Sequence, residues 1–292
     1  MRTIRNYEVD GRYPKQREVY AEEVSERYDY GWRGMIVGDR KKIHAMDIVN
    51  KKLLKYLIIT FAITYLCWGG LAVLIQTDVL TFAHPVATIM HLLGGFGPPI
   101  AALFVLDTKI TVKSLLKIIF GSKPKTARFF FVFALLEILV IGVSSMELNS
   151  AVPLYLIPVI LVQVTVIYGG NEELGWRGVM QPLLEEKLSF PVATLITGVV
   201  WGIWHLPLWF VDGASQQNMS FLLFLILGIL LSFFFAAVYK KTKSVFYCCA
   251  LHGLTNTLLS VFIIKINVVL VVGLLLMLGF SIYLWYSEKS KE

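Results

Sequence analysis

Residues 219–239 read MSFLLFLILGILLSFFFAAVY, a run without a single charged side chain. A helix needs roughly 20 apolar residues to cross the hydrocarbon core of a bilayer, so this stretch reads as a membrane span. Similar runs lie at 53–76, 86–106, 128–147, 151–169, 190–211, 244–263 and 266–286. Eight such runs predict an all-α, polytopic membrane helix bundle. Only a few residues join the third and fourth, which predicts a tight helical hairpin.

Composition agrees. The chain has 292 residues, of which 57% are hydrophobic and 16% charged, with a mean hydropathy of +0.68. A soluble domain is about 45–50% apolar and about 25% charged. Nearly half of the charged residues fall in the first 52 positions, which leaves the rest too poor in charge to cover a water-facing surface. Lipid is therefore the expected solvent and partner. The chain divides into a charged tail, 1–52, and a transmembrane region, 53–292. The tail has no apolar core of the kind a signal peptide carries, and reads as a cytoplasmic segment with a short helix around Arg17–Tyr28. Cys67, Cys248 and Cys249 all lie in apolar runs and read as small buried hydrophobes, not as a disulfide framework.

The formal charge is +7. Its placement points to membrane orientation and not to nucleic acid. Lys51, Lys52 and Lys55 flank the first span. Lys109, Lys113, Lys117, Lys123, Lys125 and Arg128 lie between the second and third, and Lys240, Lys241 and Lys243 between the sixth and seventh. With eight spans all of these fall on one face, Lys265 being the exception on the other. The positive-inside rule then puts both termini in the cytoplasm, in a plasma (inner) membrane. Within 107–127, Ile110, Leu115, Ile118 and Ile119 alternate with lysines. The pattern fits an amphipathic helix lying on anionic headgroups as well as a plain basic loop.

Charged and polar groups inside spans face a bundle interior or a water-filled cavity. Three segments carry them. The first is Asn171-Glu172-Glu173-Leu174-Gly175-Trp176-Arg177-Gly178. Glu173 and Arg177 are one helical turn apart and can pair. Glu172 points roughly 100° away, free to face the bundle centre without its own cation, and is a candidate general base. The second segment is Trp201-Gly202-Ile203-Trp204-His205-Leu206-Pro207. Trp201 shares a face with His205, and Pro207 has no N–H for the carbonyl of Ile203. The third is His252-Gly253-Leu254-Thr255-Asn256, which puts His252 and Asn256 on one helical face. Each segment alone also fits an ion-pair knot or an interhelical hydrogen bond. Together they hold the groups needed to activate water and stabilise an oxyanion.

Glu172-Glu173-x-x-x-Arg177, then Trp201-x-x-x-His205, then His252-x-x-x-Asn256 resembles the CAAX-protease and bacteriocin-processing (CPBP, or Abi) family, related to the type II CAAX prenyl endopeptidase. The Gly94-Gly95-Phe96-Gly97-Pro98 stretch is also similar to that family, and the resemblance covers roughly residues 85–262. Trp201 stands where the family usually has Phe. The resemblance implies an eight-helix intramembrane endopeptidase that cleaves near the cytoplasmic side. Glu172 would activate water with help from His205, His252 and Asn256 would bind the oxyanion, and Glu173, Arg177 and Trp201 would support them. It also implies a peptide or protein substrate, lipidated in the CAAX branch. The family's description as metalloproteases names a divalent metal such as zinc as cofactor. Glu and His are zinc ligands, but there is no His-Glu-x-x-His helix here to hold one.

Two other readings share these residues. An ion- or proton-coupled transporter also keeps Glu, His and Asn within its spans, but predicts an internal repeat, and none is evident. A noncatalytic bacteriocin-immunity protein would act by binding. One geometric tension stands out. His205 lies 14 residues past Pro191 and His252 only 8 past Ser244, so spans starting at equal depth would hold the two histidines apart.

Overall fold

The computed structural model describes residues 46–106, 111–121 and 124–290. Contacts divide the chain into Met1–Asn50 and Lys51–Glu292. Of the first unit only residues 46–50 are described, so the helix expected around Arg17–Tyr28 lies outside the described residues, as does Ile110.

Eleven helices carry the described residues. They are α1 (Met46–Gln76), α2 (Pro85–Gly95), α3 (Gly97–Val105), α4 (Val112–Phe120), α5 (Ala127–Ser144) and α6 (Ile157–Val166). Then come α7 (170–185), α8 (Phe190–Trp204), α9 (Phe221–Thr242), α10 (Val245–Val261) and α11 (Val268–Lys289). The one extended pairing among the described residues is an isolated antiparallel bridge between Leu148 and Phe262. Among the described residues six helical runs are long and apolar enough to cross a membrane, with α6 and α7 counted as the single run Leu154–Glu185. The pair α2–α3 makes a seventh if its 42° bend is taken within one span. The eighth expected span is α10, which has only 17 residues. Large apolar side chains such as Leu66, Phe131, Leu222 and Leu276 are exposed on the outside, as lipid-facing residues are. The chain is a multi-pass integral membrane protein.

Proline and glycine dictate the bend at Phe96. Pro98 has no N–H for the carbonyl of Gly94, and Thr64 Oγ1 donates to that carbonyl instead, at 2.7 Å. Trp68 Nε1 takes the carbonyl of His91 at 2.7 Å. A Cβ on Gly94 would overlap the Trp68 ring, so only glycine lets α1 and α2 come this close. Thr64 in turn accepts from Trp204 Nε1 at 2.6 Å, which ties α8 to the same point.

Contacts also fix the two ends of the bundle. At the lysine-rich end Lys55 donates to the carbonyl of Phe104, Lys240 pairs with Glu185, and Lys241 donates to the carbonyl of Leu284. Helix α4 lies there with Val112, Lys113, Leu116 and Lys117 exposed and Leu115, Ile118 and Ile119 half-buried. Ser244 holds it through the carbonyl of Ile119. At the other end Gln76 donates to the carbonyl of Phe210, Asn149 to that of Ser260, and Lys265 pairs with Glu147.

Candidate active site

The break between α6 and α7 builds one wall of the site. Helix α6 stops at Val166, and Gly169 adopts φ +120°, a conformation that side chains other than hydrogen rarely take. A Cβ there would also overlap Asn256 Nδ2 and press on His252 Nε2. The chain then restarts as a 3-10 turn, Gly170–Glu172, which delivers Glu172 and Glu173 side by side into the bundle.

The two glutamates take different partners. Glu173 lies 3.2 Å from Arg177 Nη1, and both side chains are fully buried. It also accepts from His252 Nδ1 at 2.9 Å. Arg177 goes on to donate to Ser232, to its Oγ at 3.0 Å and its carbonyl at 3.3 Å. Its guanidinium lies over Phe235 at 5.3 Å and Trp201 at 5.9 Å. A buried cation surrounded by a carboxylate, hydroxyl, carbonyl and π faces is thereby compensated on most sides. Glu172 has no such cation at hydrogen-bond distance. Its Oε2 accepts from the indoles of Trp201 at 2.8 Å and Trp176 at 3.3 Å. The sequence left Glu172 uncommitted, whereas the structure orients it with two neutral donors.

His205 follows directly after α8, which ends where Pro207 cannot continue the ladder. The freed carbonyl of Ile203 accepts from Tyr65 Oη at 2.8 Å. His205 Nδ1 donates to the carbonyl of Trp201 at 2.9 Å, which turns the ring back toward the bundle centre. Asn256 Nδ2 donates to the carbonyl of Tyr168 at 3.2 Å.

Glu172, Trp201, His205, His252 and Asn256 all line one cavity of about 160 Å³. The offset between the histidines is filled by an indole. The Trp201 ring centroid lies 5.5 Å from that of His205 and 5.3 Å from that of His252. Glu173 and Arg177 sit behind this wall. Trp68, His91, Tyr168, Gly169 and Gln216 also line the cavity, and sequence reasoning did not single them out. His91 lies in an unremarkable stretch of the second span. The Gly169-Gly170 pair gave a signal that reads as an ordinary loop.

Residues 153–258 match the family described as type II CAAX prenyl endopeptidase Rce1-like. This segment is similar to that family. It contains every one of the polar residues from Glu172 to Asn256. Over 95 residues the chain is also 34% identical to CAAX prenyl protease 2 of Methanococcus maripaludis, a stretch covering 29% of this chain and 34% of that relative. The chain thus matches about a third of the length of that curated relative.

The donor set of this segment does not fit a zinc centre. Among the described residues no three His, Cys, Asp or Glu side chains group as metal ligands do. Two of the donors nearest to hand, Glu173 and His252 Nδ1, are spent on each other and on Arg177.

Proposed function

We propose that the protein is an intramembrane endopeptidase that hydrolyses a peptide bond in a membrane-associated protein or peptide with Glu172 as general base. The observation that carries this reading is the convergence of Glu172, His205, His252 and Asn256, from three separate segments, on one cavity. In this reading water bound between Glu172 and His205 gives a proton to Glu172 and attacks the scissile carbonyl carbon. The carbonyl π electrons move to oxygen. Asn256 has a second amide hydrogen for the oxyanion beyond the one held by Tyr168, and His252, which already donates from Nδ1 to Glu173, adds an Nε2–H to it only as the imidazolium whose charge Glu173 offsets. Collapse reforms the carbonyl and breaks the C–N bond, and Glu172 returns its proton to the leaving amine. Glu173, fixed by Arg177, holds His252 at Nδ1 and so sets which ring edge meets the substrate.

The test compares peptide termini in membranes of cells carrying wild type and Glu172→Gln. New termini present only with the wild type support the reading. Identical terminal profiles at equal protein levels overturn it.

A further inference from the structure

The cavity continues toward one end of the described bundle. A second cavity of about 370 Å³ adjoins it, sharing His91, Tyr168 and Gln216 and adding Phe82, Thr88 and the 213–215 turn. Exposure rises along this line. Glu172, His205 and His252 are buried, His91, Tyr168 and Gln216 half-buried, and Thr88, Gly213 and Ser215 exposed. The outer cavity lies among the 77–84 and 211–216 loops, at the end where Gln76 holds the carbonyl of Phe210. That is the lysine-poor end.

Toward the lysine-rich end the bundle is filled. Behind Glu172 lie Glu173 and Arg177, both fully buried. Next comes Gln181, which donates to Thr194 Oγ1 at 3.0 Å and accepts from Thr197 Oγ1 at 2.9 Å. Gln181 also donates to Glu185, which pairs with Lys240 at the surface. This stack of side chains, each satisfying the next, fills the described bundle between the site and the lysine-rich face.

Charge tells which face is which. The closed end carries Lys55, Lys113, Lys117, Lys125, Arg128 and the 240–243 lysines, while the open end carries Lys265 with Asp78, Glu147 and Asp212. A bias of Lys and Arg in short loops marks the cytoplasmic face.

We propose that the catalytic cavity is loaded from the lysine-poor, extracytoplasmic face, and not from the cytoplasmic side that the family resemblance implies. Its substrate is then a polypeptide segment presented there, an exported peptide or the outward stretch of a membrane protein. The word substrate rests on the endopeptidase reading above, whereas the access route rests on geometry and charge. The residues lining the outer cavity include no Lys, Arg, Asp or Glu. Such a passage suits an extended backbone with small or neutral side chains.

Two measurements on the full chain in sealed vesicles decide this. Gln216→Cys and Lys117→Cys are treated with a membrane-impermeant maleimide, with the wild type as control for Cys67, Cys248 and Cys249. In right-side-out vesicles Gln216→Cys is labelled and Lys117→Cys is not, and inside-out vesicles give the reverse. Labelling of Gln216→Cys from the lysine-rich side, or from neither side, overturns the route. The second measurement maps the termini that depend on Glu172. They fall in extracytoplasmic segments if the proposal holds. Termini in cytoplasmic tails overturn it while leaving the endopeptidase reading intact. If no terminus depends on Glu172, the endopeptidase reading fails, and the labelling still decides the route.

Discussion

Neighbouring residues in a helical turn leave the backbone roughly 100° apart, and at Glu172 and Glu173 that angle separates two jobs. Glu172 turns to the cavity and its indole donors, and Glu173 turns to Arg177 and His252. Glu172→Gln keeps an acceptor for both indoles, so the variant should melt with the wild type in detergent yet yield none of the wild-type cleavage products. Asn256→Ala removes one donor to the oxyanion and should slow cleavage by about 10²–10³ while leaving residual activity. Arg177→Ala leaves Glu173 buried without its cation, and breaking such a pair typically removes about 3–5 kcal/mol. A large drop in protein level and melting temperature is expected, and full stability with activity alone lost would contradict this assignment. These three segments were readable because charged and amide side chains stand out against apolar spans. Gly169 was not readable: its role comes from φ +120° and from the closeness of Asn256, neither of which a sequence displays.

At the scale of helices, the breaks matter more than the spans. The apolar runs were legible because each is long and nearly free of charge. How the breaks are satisfied was not, since the groups that serve them come from far along the chain. Pro207 marked the end of α8, but that Tyr65 from α1 would take the carbonyl of Ile203 could not be read locally. The same holds at the α2–α3 bend, where Thr64 serves both the carbonyl of Gly94 and the indole of Trp204. Thr64→Val has nearly the same shape and removes both bonds. Each buried group left unsatisfied costs about 1–3 kcal/mol. Thr64→Val should therefore lower the melting temperature clearly, whereas Thr77→Val, at an exposed helix end, should barely move it.

At the scale of the whole molecule, the offset expected between His205 and His252 is bridged by a side chain of α8, the helix that His205 directly follows. His205 donates back to the carbonyl of Trp201, one turn toward the start of α8. The Trp201 ring lies between the two histidines, 5.5 Å from His205 and 5.3 Å from His252, centroid to centroid. Counting residues along two helices fixed the depth of their backbones, but it could not supply the side-chain direction or the intervening indole. Orientation, by contrast, depends on charge placement, which a sequence shows directly. The lysines at 240–243 and the loop at 211–216 lie at opposite ends of α8 and α9, and one long apolar helix, α9, separates them. Reporter fusions ending after Asp212 and after Lys243 should therefore report opposite sides of the membrane, with the Lys243 fusion cytoplasmic. If both report the same side, α9 does not cross, and both the eight-span arrangement and the one-sided distribution of lysine fall with it.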